Sequence, residues 1–309
     1  MKKQTGFTLV ELMVSIGLGL IIVAAALLLF FSGQRNVALQ RNSSDLQEDQ
    51  NFGLSYIAKN VRQANLNSPA ASLNTNSNFS GIVFQAANLS DKVKLDTNFS
   101  TKFVTANIST NTSNMRFKAD TTYTDAVNDQ LVIQYRPAET GGYDCEGRLI
   151  NSTNVYILER YFIRTDANGT GTAVERSALA CASSRYASDL AAVTALESSN
   201  TAGLYGSGQI IMKRVDLFLV RFLVQIGTNK RYVTITQYST ITPAPRILAV
   251  QLGVIARSPS STTERSVSTS QEFSIFSQKV TQKAAFPNRY VRTPIMQTVA
   301  LRNALGDRS

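Results

Sequence analysis

Residues 6–31 read GFTLVELMVSIGLGLIIVAAALLLFF, and the architecture turns on them. Within residues 7–31 there is one charge, Glu11, in 25 positions. A membrane-spanning helix needs roughly 20 apolar residues, so the run is long enough. A secretory signal has an apolar core of about 7–15 residues followed by a small-residue cleavage site. Here the run is longer, and Phe30, Phe31 and Ser32 offer no such site. The stretch therefore reads as a retained span. Lys2 and Lys3 precede it and hold the N-terminus on the cytoplasmic side, which places the rest of the chain across the membrane.

Glu11 is the anomaly in this run. A carboxylate at the centre of a membrane helix costs roughly 2.5–3.5 kcal/mol on insertion scales and usually has a partner. Residues 7–31 contain no Lys or Arg to serve as one. A cut after Gly6 would give Phe7 a free amine four residues before Glu11, one helical turn away. Proteolysis would create the missing countercharge.

Working outward, the helix is expected to continue past Gly33, since no proline occurs before Pro69. Leu54, Ile57, Ala58 and Val61 fall on one helical face, and Leu39 and Leu46 follow the same logic. Asp45, Glu48, Asp49, Lys59 and Arg62 supply the other side. An unbroken helix from Phe7 to about Leu66 would be roughly 90 Å long at 1.5 Å per residue. Residues 7–31 would lie in lipid, and residues 32–66 would form an amphipathic continuation packed on a head of residues 67–309. Gly17, Gly19 and Gly33 are its weak points, and Ser15 and Gly19 form one small-xxx-small pair.

The motif Gly6-Phe7-Thr8-Leu9-Val10-Glu11, with lysines before it and an apolar helix after it, resembles the class III signal of type IV pilins and pseudopilins. The resemblance implies that residues 1–6 are a leader, cut by a prepilin peptidase between Gly6 and Phe7. It implies N-methylation of Phe7 and a role in assembly for Glu11. It also implies a lollipop, one long helix carrying a globular head. Many major pilins have a proline in the membrane half of this helix; residues 7–31 have none.

The head begins with a polar stretch: residues 65–114 contain 24 Ser, Thr or Asn in 50 positions, a loop-forming composition. Short apolar pieces at Ile82-Val83-Phe84 and Phe103-Val104 mark one or two strands there. Beyond it, strands are expected over residues 131–135, 155–163, 210–226, 231–241, 247–256, 272–276 and 290–301. One long helix followed by about seven strands is an α+β pattern, a mainly antiparallel sheet packed on the helix. Asn128-Asp129-Gln130-Leu131-Val132-Ile133-Gln134-Tyr135, Asp144-Cys145-Glu146-Gly147, the stretch 250–258 and the ending Thr298-Val299-Ala300-Leu301-Arg302-Asn303 resemble PilW-type minor pilins. Cys145 and Cys181 are 36 apart, and in an oxidising compartment they are expected to form a disulfide.

Composition excludes several chemistries. The chain has 31 Lys+Arg, 21 Asp+Glu, no His and two Cys. There is thus no imidazole base or ligand, and no four-thiolate zinc site. No P-loop or dinucleotide fingerprint occurs; Gly203, Gly206 and Gly208 lack the Lys-Ser/Thr that holds phosphate. Asp120, Asp125 and Asp129 with Asn128 lack the EF-hand spacing, so a polar loop is expected over a calcium site. No catalytic residue, cofactor or metal is assigned.

Residues 213–309 carry 14 basic and 4 acidic residues, the whole of the net charge of +10. Lys279, Lys283, Phe286, Arg289, Tyr290 and Arg292 mix basic and aromatic side chains, which suits either an acidic subunit surface or single-stranded nucleic acid. The resemblance implies a minor prepilin that starts or caps a type IV pilus, serving motility, adhesion or DNA uptake. Its implied partners are the prepilin peptidase, other minor pilins, the major pilin, a tip adhesin and the inner-membrane assembly platform. The implied location is the bacterial inner membrane, single-pass with a periplasmic head, and then the pilus, at its tip. Two alternatives stand beside it: a pseudopilin J-like component of type II secretion, and a membrane-anchored nucleic-acid receptor.

Overall fold

The computed structural model describes residues 6, 8–69, 78–89, 104–108, 117–119, 128–169, 171, 175–187, 197–198, 206–262, 267–268, 270–276, 278–282 and 289–302. Helix α1 is continuous over Leu9–Val61, 53 residues that pass Gly17, Gly19 and Gly33 without a break. It opens on a capping box: Thr8 Oγ1 accepts from Glu11 N, and the Glu11 carboxylate accepts from Thr8 N. It stops five residues before the expected Leu66. The reason lies in Asn65 and Asn67, which take left-handed backbone (φ 64° and 49°). Asn is one of the few side chains that tolerates this region. Asn65 N donates to Gln134 O, and Asn65 Oδ1 accepts from Gly81 N at 3.0 Å, so the turn is tied into the head.

Burial along α1 is one-sided in the chain direction. Leu46, Gln50, Gly53, Leu54, Ile57, Ala58, Asn60 and Val61 are buried, while residues 8–38 are all exposed. Each fully buried Leu, Ile or Val contributes about 1.5–3 kcal/mol relative to exposure, so the last four turns dock the helix. At Gly53 the Met212 side chain packs directly on the helix; a Cβ there would lie 2.4 Å from Met212 Cε, which would have to move aside.

Among the described residues the head carries three antiparallel sheets where one was expected. The first joins β1 (Ala106–Asn107), β3 (Asp129–Tyr135), β4 (Val155–Thr165), β5 (Ser177–Ala187) and β6 (Glu197–Ser198) in that order, with β7 (Gln209–Lys213) also on β5. The second is β13 (Arg292–Ala300), β10 (Arg246–Arg257), β8 (Val215–Ile226) and β9 (Asn229–Thr234). The third is β11 (Glu272–Ile275), β12 (Gln278–Gln282) and β2 (Phe117–Ala119). Leu54, Ile57 and Val61 of α1 share a single core with Leu131, Ile133, Phe218, Phe222, Leu252 and Val299 from the first two sheets.

Two expected strands are corrected. The stretch 210–226 is two strands in different sheets, because Arg214 sits at φ 59° and turns the chain from β7 into β8. The stretch 231–241 is strand only to Thr234; helix α2 (Ile235–Thr240) follows. A second capping box forces the change, with Gln237 N donating to Thr234 Oγ1 and Thr234 N to Gln237 Oε1. The helical turn buries Tyr238 against Phe84 and Phe222, with its hydroxyl donating to Pro245 O at 2.9 Å. Strands β5 and β12 were not anticipated. The residues of β5, SALACASSRYA, are mostly small and show no alternation because ten of the eleven are buried.

The pair Asn128-Asp129 joins two sheets. Pairing of β9 with β8 ends at Arg221 opposite Thr234. Below that point Phe218 N donates to Asn128 Oδ1 at 2.8 Å, and Val220 N to Asp129 Oδ2 at 2.7 Å. Side chains thus satisfy backbone donors on a sheet edge that would otherwise be left unpaired. Asp129 is thus the buried first residue of β3, where a polar loop was expected, and Asn128 lies just before the strand; Asp120 and Asp125 lie outside the described residues.

Candidate functional site

Gly6 is exposed and has open space where a Cβ would stand. Phe7, the expected cleavage partner and methylation site, lies outside the described residues. Glu11 Oε2 accepts from Thr8 N at 3.0 Å and from Thr8 Oγ1 at 2.9 Å. One turn on, Ser15 Oγ donates to Glu11 O at 2.7 Å. The signal for this cap, Thr followed three residues later by Glu before an apolar run, stands in the sequence. The cap meets the hydrogen-bonding need of the carboxylate, and no cation pairs with it among the described residues. Among the described residues Glu11 Oε1 accepts no hydrogen bond, so one oxygen remains for an incoming amine.

Around Glu11 the helix is apolar on every side. Leu9 is 75% exposed and Phe31 56%, with Ile16, Leu20, Ile21, Leu28 and Phe30 also open. A helix apolar all round and exposed all round is an anchor, since lipid alone can cover it.

Above the anchor, the Asp144-Cys145-Glu146-Gly147 motif is a tight turn. Asp144 Oδ1 accepts from Glu146 N and Arg148 N, and Gly147 takes φ 81°. Arg185 Nη2 pairs with Asp144 Oδ2 at 2.8 Å, both groups buried. The turn presents Cys145 to Cys181 in β5, and the two are joined, with Cα atoms 6.1 Å apart. Glu159 lies beside them. Its carboxylate accepts from Tyr161 Oη at 2.5 Å, Tyr135 Oη at 3.1 Å and Cys145 N at 3.0 Å. Burial raises this carboxyl to about 7; hydrogen bonds from Tyr161, Tyr135 and Cys145 pull the other way, and the nearby Asp144 adds to the rise. Cys145, Cys181 and Glu159 could group round a metal by distance. Their sulfurs are bonded to each other, however, and the carboxylate is occupied by three donors, so the cluster is a structural joint.

The basic C-terminal segment is partly spent inside the fold. Arg257 Nη1 and Arg292 Nε hold the two carboxylate oxygens of Asp216, the latter at 2.9 Å, and all three side chains are buried. Ser177 Oγ donates to the same carboxylate, and Arg292 Nη1 donates to Gln282 Oε1. Tyr290 packs near both guanidinium groups. Arg289 Nη1 donates to Val267 O. Three members of the proposed contact surface, Arg289, Tyr290 and Arg292, are thus engaged within the head. Lys283 and Phe286 lie outside the described residues.

A family model described as Type IV Pilus-assembly protein W matches residues 160–303, and one for the prokaryotic N-terminal methylation motif matches residues 1–27. Among solved structures, a type IV-like pilin from Thermus thermophilus is similar over 62% of this chain and 84% of that one, at 13% identity and a TM-score of 0.30. So loose a likeness carries no weight in the argument. No curated protein matches the chain. The methylation motif, the single long helix and the β-rich head make this a type IV pilin-like protein, anchored by its apolar N-terminal helix. The part of the head that matches the PilW model runs from residue 160, within β4, to residue 303, just past β13.

Proposed function

We propose that the chain is a minor pilin that helps start or cap a type IV pilus. Glu11 carries this reading: a single carboxylate, capped by Thr8 and without a cation among the described residues, on a helix that only lipid or other apolar helices can cover. After cleavage at Gly6, the amine of Phe7 on an adjacent subunit meets Glu11 and neutralises it, so assembly removes the cost of the buried charge. The helix then leaves lipid for a bundle of similar helices, and the head contacts other minor pilins, the major pilin and a tip adhesin. The prepilin peptidase and the inner-membrane platform act before that step, with the N-terminus cytoplasmic and the head periplasmic. The name of the matching family model, a pilus-assembly protein, favours the pilus over a secretion system. The chain has a structural role and no catalytic one.

Pilus counts in a deletion strain complemented with Glu11→Ala test the proposal. The variant is expected at wild-type levels in the membrane fraction, with pili reduced to the level of the deletion. Normal piliation by this variant would remove Glu11 from the mechanism.

A further inference from the structure

The β8–β9 hairpin ends in a projecting arm. Ile226 pairs with Asn229 across a two-residue turn that opens on Gly227 at φ 60°, and Gln225 Nε2 donates to Gly227 O. All residues from 226 to 232 are exposed, including Ile226 at 38% and Tyr232 at 43%. Lys230 and Arg231 make no hydrogen bond or ion pair among the described residues. The arm therefore offers two unpaired cations beside two apolar side chains, on a strand whose outer edge is open among the described residues.

The opposite end of the same sheet carries the complement. Asp45, Glu48, Asp49 and Phe52 follow each other at i, i+3, i+4 and i+7 on α1, hence on one face. Asp49 is paired with Arg214, which immediately precedes β8. Asp45 and Glu48 are exposed and have no partner among the described residues. Phe52 is 70% exposed, and a groove of about 360 Å³ runs from it to Ile210 and Ile211 of β7, with Lys213 and Arg214 along its wall. Since β8 has 12 residues at about 3.3 Å each, the arm lies roughly 35 Å from this stripe.

We propose that the arm of one copy docks on the α1 stripe of a second copy. Lys230 and Arg231 meet Asp45 and Glu48, and Tyr232 enters the groove beside Phe52. The two surfaces are complementary in charge and in apolar content and sit at opposite poles of one head. The contact is therefore heterologous, joining different surfaces of the two copies. The rival reading of Lys230 and Arg231 is that they protect an open strand edge from pairing, and it requires no partner. This inference deepens the pilus-assembly reading by naming a subunit contact, but its test does not depend on pili.

Two differently tagged full-length copies, one Thr228→Cys and one Ser44→Cys, are co-expressed and oxidised in membranes; both positions flank the surfaces without belonging to them. A mixed disulfide between the tags is expected. Arg231→Glu in the first copy should lower its yield about tenfold, and Glu48→Arg in the second should restore it. Arg231→Glu also leaves the Cys145–Cys181 bond as a check that the head is folded. No mixed disulfide, a yield indifferent to Arg231→Glu, or capture of other pilin-like proteins without this chain would each overturn the proposal. Pilus counts that fall with Glu11→Ala while the mixed disulfide persists would separate the two readings.

Discussion

Glu159 shows how a single buried acid can couple this head to pH. Its carboxyl sits at about 7 in the folded chain against an ordinary 4.5, chiefly because burial disfavours the charge. The native state therefore holds its proton where the unfolded chain has lost it. The contribution to stability is full below about pH 4.5 and is lost as pH rises towards 7. At 1.36 kcal/mol per pKa unit the loss is about 3 kcal/mol. Asp129 behaves the same way, raised by burial to about 7 against its hydrogen bonds from Val220 N and Asn107 and the nearby Arg221. Thermal unfolding of the full chain at pH 5 and pH 8 should show the higher midpoint at pH 5. Glu159→Gln should remove about half of that difference, leaving the share of Asp129. An unchanged difference would mean that Glu159 ionises in the native head at no cost.

At the level of elements, the disulfide hairpin and the docked end of α1 do different work. The hairpin of residues 141–150 has little apolar material of its own and is held by Asp144, Arg185 and the Cys145–Cys181 bond. Closing a loop of this length contributes about 3–4 kcal/mol in the chain-entropy model. Cys145→Ser with Cys181→Ser should lower the unfolding free energy by about that amount, measured by urea titration of the detergent-solubilised chain, while the helical signal of α1 persists. Loss of the bond without loss of stability would place the strength of the joint in Arg185 and Asp144 alone. The elements also differed in how plainly the sequence announced them. Helix α1 was legible because its apolar spacing and lack of proline recur over many turns. Strand β5 was hidden because it is buried on both faces and built from small residues, so no alternation survives. The start of α2 was written in Thr234 and Gln237, but the alternation of 231–238 pointed to strand, and the burial of Tyr238 decided between them.

For the whole molecule, the two poles of α1 set the order of events. In the proposed topology residues 1–6 are a leader that holds Lys2 and Lys3 on one side of the membrane, with the head on the other. The mature protein is therefore expected to begin at Phe7 carrying a methyl group. Mass spectrometry of its N-terminal peptide from cells with an active prepilin peptidase checks this. A peptide that retains Lys2, Lys3 and Gly6 would leave Glu11 without its intended countercharge and the chain as an anchored head. The family match and the helix carry the pilin-like architecture; under the proposed contact, the Lys230–Tyr232 arm would set the position of this subunit relative to a second copy.

Sequence alone determined the anchor, the processing motif, the end of the helix to within five residues, and the pairing of two cysteines. Each depends on neighbours along the chain, on simple hydrophobic length, or on there being a single choice of partner. The tertiary structure alone decided that the described residues of the head form three sheets, that Arg257 and Arg292 hold Asp216 in the core, and that Asn128 and Asp129 close the edge of β8. Those arrangements join residues tens to more than a hundred positions apart, and side-chain charge or polarity does not say whether its partner will be water or another buried group until the fold has brought them together.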